Sequence, residues 1–189
     1  MKTMLVSSVR LSVSVAVMLG AACMPAAARQ ADTLAAQRPD TACAEATARK
    51  GLCMTLEKGG AVIIELYPDK APKTVERIMK LAEEGFYDGL EFHRVESYLV
   101  QTGKGEHDLP PLEGEMFGQR IWHEEGMVGM ARLPSDYDTA TTQFYIMKER
   151  RPNLNGEYTL FGKVVGGMEH IHGLKKGGKI ESLTICDIE

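Results

Sequence analysis

A mainly β fold, either a sandwich or a closed barrel, is what the sequence predicts, and three observations predict it. Short runs rich in β-branched and aromatic residues recur along the second half and more of the chain, each bounded by Gly, Pro, Asp or Asn. Only two stretches show helical spacing. The composition, 44% hydrophobic and 25% charged over 189 residues, is that of about one ordinary globular domain, without repeats or low-complexity tracts. Many short strands with few helices bury their apolar faces best in a sandwich or a barrel.

The elements follow in chain order. Lys2 and Arg10 precede the apolar run "LSVSVAVMLGAACM" and then "PAAA", the pattern of a secretory signal over residues 1–28 with cleavage before Arg29. The run from Leu11 to Met24 is shorter than the roughly 20 residues needed to span a bilayer, so no membrane insertion is expected once it is removed. Export to a periplasm is the preferred reading, with secretion, or a lipid anchor at Cys23, as the alternatives; Gly20 stands where a lipid-attachment sequence usually has leucine. Residues 29–48 lack apolar periodicity and read as a flexible linker, which leaves 49–189 as the folded domain.

Within the domain, "GLCMTLE" and "AVIIELY" are strands joined by "KGG", a hairpin signal. Pro72 suits the first turn of a helix, Val75, Ile78, Met79 and Ala82 recur at its spacing, and Gly85 can end it. Further strands are expected at "LEFHRV", "YLVQ", "GMVGMA", "TTQFYIM", "YTLFGKVV" and "IESLTICDI", with a second short helix from near Gly167 to Leu174. Alternation places Arg94 on one face with Phe92, and Gln143 with Tyr145 opposite Phe144 and Ile146. Fixed polar groups beside aromatic ones suit a site that orients a peptide through hydrogen bonds and holds it by apolar burial.

Cys43, Cys53 and Cys186 would remain after cleavage, enough for one disulfide in an oxidising compartment. Cys53 with Cys186 fits if the first and last strands pair, and Cys43 with Cys53 is the rival. The formal charge of −4 and the absence of a basic block argue against nucleic acid. His170 and His172 would share a strand face but have no third ligand at a telling distance, "WHEEG" lacks the second histidine of H-E-x-x-H, and the glycines near 103 and 105 form no phosphate loop. No metal and no cofactor are expected.

Taken together and in order, "ELYPDKAPKTVE", "GFYDGLEFHRV", "LVQTG", "GMVGMAR", "TTQFYIM" and "NLNGEYTLFGKVVGGM" strongly resemble the cyclophilin family of peptidyl-prolyl isomerases, from about Cys53 to Glu189. The resemblance implies a closed eight-stranded antiparallel β-barrel capped by two helices, with the site on the barrel's outer face. It implies Arg94 as the catalytic arginine, aided by Gln101, and a prolyl site drawn from Tyr98, Leu99, Met130, Ala131, Arg132, Gln143, Tyr145, Asn153, Leu154 and Tyr158.

Departures from the family pattern carry information as well. Tyr145 replaces phenylalanine, Tyr158 replaces a histidine, and Arg132 stands where many members have asparagine and use only its backbone. Asn153 occupies the place of a tryptophan that favours cyclosporin, so weak cyclosporin binding is expected. The implied partners are proline-containing unfolded or newly exported polypeptides, and the expected state is a monomer. The chemistry is simple: amide resonance sets a rotational barrier of ~18–20 kcal/mol, and a guanidinium that favours a pyramidal prolyl nitrogen lowers it. The rival reading is a non-catalytic chaperone that holds proline-containing segments.

Overall fold

The computed structural model describes residues 49–188. The predicted signal at 1–28, the linker at 29–48, Cys23, Cys43 and the terminal Glu189 lie outside the described residues. Among the described residues no helix is long and apolar enough to cross a membrane.

The predicted hairpin forms from β1 (Arg49–Leu56) and β2 (Ala61–Leu66), whose alternation sends Leu52, Met54 and Leu56, then Val62, Ile64 and Leu66, into the core. The first helix, α1, is Pro72–Glu83, with Val75, Ile78, Leu81 and Ala82 buried. Then come β3 (Arg94–Val95), β4 (Leu99–Thr102), β5 (Met127–Met130), β6 (Phe144–Met147), β7 (Leu160–Gly166), α2 (Met168–Gly173) and β8 (Ile180–Ile188). A single turn of 3-10 helix at Pro152–Leu154 was not expected. At the start of α2, Gly167 has φ 80°, and a Cβ there would collide with the Ala61 carbonyl oxygen, so only glycine fits.

All strand pairs are antiparallel, in the order β3-β4-β6-β5-β7-β2-β1-β8. The sheet is curled but open, which corrects the expected closed barrel: among the described residues no ladder joins β3 to β8. Across the gap, residues 89–92 meet 177–180 through one bridge, Glu91 with Lys179, and through backbone hydrogen bonds such as Phe92 N–H to Gly178 O at 2.8 Å and Ile180 N–H to Leu90 O at 2.9 Å. The cause is local. The run "LEFHRV" does not form one strand; its first part faces the 177–180 turn, and only Arg94 and Val95 pair with β4. A two-residue strand has too few ladder groups to zip against β8.

The sheet has two apolar faces. Inside lies the main core, with Phe92, Val100, Val128, Met130, Phe144, Ile146 and Phe161 packed beneath α1 and α2 residues such as Ile78 and Ile171. On the other face a smaller cluster forms around Leu99, Met127, Tyr145, Met147 and Leu160. Burial on both faces explains why β5 and β6 read as continuous apolar runs.

Cys53 and Cys186 form a disulfide between β1 and β8, Cα atoms 5.9 Å apart, which decides between the two pairings considered above. The ladder sets Gly51 opposite Cys186 and Cys53 opposite Thr184, so the bridge runs diagonally across the two strands.

The N-terminus of α1 lacks a local cap: Ala71 has no side-chain donor or acceptor. Glu115, far along the chain, fills the role. Its carboxylate accepts from Lys73 N–H at 3.0 Å, Thr74 N–H at 2.9 Å and the Thr74 hydroxyl at 2.7 Å. A negative group on these otherwise unpaired amides also complements the helix dipole. Glu115→Ala is expected to lower stability by about 1–2 kcal/mol, read as a lower urea midpoint; an unchanged midpoint would mean that water caps the helix equally well.

Candidate functional site

β3, β4 and β6 lie side by side, with Arg94 opposite Gln101 and Gln101 opposite Tyr145. Antiparallel partners project to the same face, so one row across three strands presents a guanidinium, an amide and a phenol outward. This row borders a hollow of about 270 Å³ lined by Arg94, Tyr98, Leu99, Gln101, Ala131, Arg132, Pro134, Tyr145, Leu154 and Tyr158. A larger hollow of about 420 Å³ lies between the β1–β2 turn and α2, but it is walled largely by lysines and glycines. Chemistry, not size, singles out the smaller one.

Each wall is held from behind. Arg94 Nη2 donates to the Tyr98 hydroxyl at 2.9 Å, and Nη1 lies 3.5 Å from Gln101 Oε1. Its Nε is 3.5 Å from Glu96, and the side chain remains 44% exposed, open to a substrate. Gln101 Nε2 donates to Gln143 Oε1 at 3.1 Å. The face of Tyr98 is covered by Arg151, whose guanidinium carbon sits 4.4 Å from the ring centroid. Tyr145 and Tyr158 meet edge to face, centroids 5.8 Å apart.

Arg132 does more than its backbone. Its side chain, only 6% exposed, lies between Tyr137 at 4.3 Å and Tyr158 at 4.7 Å. Nε donates to Glu157 O at 2.9 Å, Nη1 to Leu133 O at 2.9 Å, and Nη2 pairs with the Glu157 carboxylate at 3.3 Å. It therefore ties the loop after β5 to the loop that carries Tyr158.

Of the residues expected at the site, nine converge on the hollow, from Arg94 through Tyr158. Gln143 stands beside them through Gln101. Met130 does not: it is 2% exposed and belongs to the main core, since β5 turns it inward opposite Phe144. Asn153 is exposed and lies outside the lining. Phe92 and Arg94 do not share a face; Phe92 is fully buried, because the strand pairing breaks at His93. Gln143, Tyr145, Phe144 and Ile146 fall as alternation predicts. His170 and His172 lie on α2, not on a strand; His172 Nε2 is 2.7 Å from Glu125. Sequence reasoning missed Pro134, Arg151 and His123.

His123 is 1% exposed, and burial lowers its pKa below the usual imidazole value. His93 is lowered too, first by burial and then by nearby Lys104. The unfolded chain binds a proton near pH 6.5 while the folded imidazoles stay neutral, so their contribution is complete above about pH 6.5 and is lost as pH falls below it, until the folded form itself titrates. Urea midpoints are expected to drop between about pH 7.5 and about pH 5.5; a flat profile would mean that both imidazoles charge freely in the fold.

Comparison with known proteins identifies the family. Residues 52–186 match the family described as cyclophilin type peptidyl-prolyl cis-trans isomerase/CLD. The chain is 39% identical over 136 residues to peptidyl-prolyl cis-trans isomerase B of Bacillus subtilis, covering 69% of this chain and 94% of that one. It is 39% identical over 143 residues to a probable peptidyl-prolyl cis-trans isomerase of Brucella suis, covering 66% and 71%. Among solved structures, a cyclophilin from Hirschia baltica superposes with a TM-score of 0.65 at 22% identity, over 71% of this chain and 73% of that one. A cyclophilin type isomerase of Cryptosporidium parvum, solved in the presence of the dipeptide Ala-Pro, superposes with a TM-score of 0.61 at 23% identity, over 74% and 99%. With the family matched over residues 52–186 and 39% identity to a relative spanned almost end to end, the chain belongs to the cyclophilin-type peptidyl-prolyl cis-trans isomerases.

Proposed function

We propose that this isomerase is exported and accelerates rotation about X-Pro bonds in unfolded or newly translocated envelope proteins, acting as a monomer in the periplasm. The observation that carries the assignment of the site is the outward row of Arg94, Gln101 and Tyr145 beside an aromatic hollow. The prolyl ring sits among Tyr98, Leu99, Tyr145, Leu154 and Tyr158. Gln101, supported by Gln143, and backbone groups near Ala131 orient the flanking chain. Arg94 faces the prolyl nitrogen and favours its pyramidal form. Its planar fork of five N–H groups keeps donors free beyond those directed at Tyr98, Gln101 and Glu96.

To speed rotation by about 10⁴ to 10⁶, the site must stabilise the twisted amide by roughly 5–8 kcal/mol more than the planar one. No nucleophile, base or metal is needed for a reaction that breaks no covalent bond. The Ala-Pro dipeptide named with the Cryptosporidium parvum cyclophilin supports proline as the recognised group. Export is supported by the signal-like segment and by the Cys53–Cys186 disulfide, which suits an oxidising compartment.

NMR exchange spectroscopy on an Ala-Pro peptide tests the activity. Faster cis/trans exchange with catalytic amounts of the protein is expected; binding without faster exchange would leave a holding chaperone instead. For export, the intact mass of the cellular protein is expected to begin at Arg29. Recovery in the cytoplasm with residues 1–28 attached would overturn that reading.

A further inference from the structure

Tyr145 carries a hydroxyl where the pocket wall needs only a ring, and the ring is 4% exposed. A buried hydroxyl without a partner is costly. Its partner is His123, with Oη 2.8 Å from Nε2, on a histidine that itself never reaches the solvent.

One backbone amide fixes every proton in this cluster. His123 N–H can only donate, and the atom 2.8 Å from it is Asn155 Oδ1, so the oxygen of that side chain faces His123. The same oxygen is 3.2 Å from His123 Nδ1, which must therefore carry the proton. Nε2 is left as a bare acceptor, and the Tyr145 hydroxyl donates to it. Burial raises the Tyr145 pKa, consistent with a phenol that keeps its proton.

Room for the hydroxyl comes from Gly129, the cross-strand partner of Tyr145. A Cβ at Gly129 would collide with Tyr145 Oη and come within 2.6 Å of Cζ. His123 also reaches the other walls: its ring is edge-on to Tyr158, centroids 6.2 Å apart. Its carbonyl accepts from Arg151 N–H at 2.8 Å, and Arg151 covers Tyr98. Asn155 adjoins Leu154 in the chain. The imidazole thus touches two aromatic walls, Tyr145 and Tyr158, while the backbone of His123 holds the residue that covers the third, Tyr98.

We propose that His123 is a positioning residue of the isomerase: with Asn155 and Gly129 it forms a socket for the Tyr145 hydroxyl that sets the depth and tilt of that ring against the substrate proline. The proposal rests on the reading of this hollow as the prolyl site. It makes the chain's tyrosine a pinned wall, where a phenylalanine would be located by packing alone.

The test is a double-mutant cycle with kcat/KM for an Ala-Pro peptide, together with the imidazole nitrogen spectrum of the unmodified protein. His123→Leu is expected to reduce kcat/KM about tenfold, mainly through KM, and by less than about threefold once Tyr145→Phe is present. His123→Gln, whose amide oxygen can accept from the hydroxyl, is expected to recover most of the loss. Equal losses in both backgrounds, no loss in either, or a Gln variant as impaired as Leu would overturn the proposal. The spectrum is expected to show a protonated Nδ1 and a bare Nε2 between about pH 6 and 8; the opposite tautomer would overturn the socket even if His123→Leu failed to fold. Should the unmodified protein not accelerate exchange, the isomerase reading fails, and Ala-Pro binding by the same variants then decides the socket.

Discussion

Arg94→Ala is expected to reduce the acceleration of Ala-Pro exchange by roughly 10²-fold or more, the scale seen when one fixed charge or donor aimed at a transition state is removed. The effect should fall on kcat more than on KM, because on the proposed mechanism the guanidinium acts on the twisted amide while the hollow lined by Tyr98, Leu99, Tyr145, Leu154 and Tyr158 takes the ring in either state. Little stability should be lost, since the side chain is 44% exposed and packs into no core. Arg94→Lys keeps the charge but lacks the planar fork that reaches Tyr98 and Gln101 from separate nitrogens, so an intermediate rate is expected. Exchange in Arg94→Ala as fast as in the parent would remove Arg94 from the mechanism and leave the pocket walls to account for catalysis.

Breaking the Cys53–Cys186 bond, by reductant or by Ser at both positions, is expected to lower the unfolding free energy by about 3–5 kcal/mol. The bridge closes a loop of sequence separation 133, nearly the whole described domain, so its loss frees the unfolded chain greatly. Its place matters too. β8 ends the sheet and, among the described residues, has β1 as its only ladder partner, so the bridge is the one covalent tie across that edge there. Urea midpoints with and without reductant measure the effect, and coincident curves would show that the β1–β8 ladder alone is sufficient.

What was legible in the sequence was mostly local. Short β-rich runs bounded by turn residues placed the β1–β2 hairpin, β5, β6, β7 and β8; Pro72 and Gly85 bracketed α1, and Gly167 opened α2. The positions of Arg94, Gln101, Tyr98 and Leu99 came from the family resemblance, because an isolated arginine or glutamine on a strand has no periodic signature. What stayed hidden depends on contacts between distant segments. No pattern near Ala71 announces a carboxylate from Glu115. Met130 matched the family motif but, on a strand buried on both faces, neighbours alternate between core and pocket, and only the register says which is which. The break at His93 arises because residues 89–92 find hydrogen-bond partners at 177–180, which shortened β3 and left the sheet open. His123 has no local signal, since its role is defined by Tyr145, 22 residues away, and Asn155, 32 away.

The small cluster on the sheet's outer face, separate from the main core, has a consequence for how such a protein diverges. On the proposed reading, Leu99 of β4 and Tyr145 of β6 shape what is gripped, while Val100, Phe144 and Ile146, their neighbours on the same two strands, hold the domain together. Selection for a new peptide preference and selection for folding therefore act on alternate residues of the same strands, and drift in one set leaves the other largely untouched.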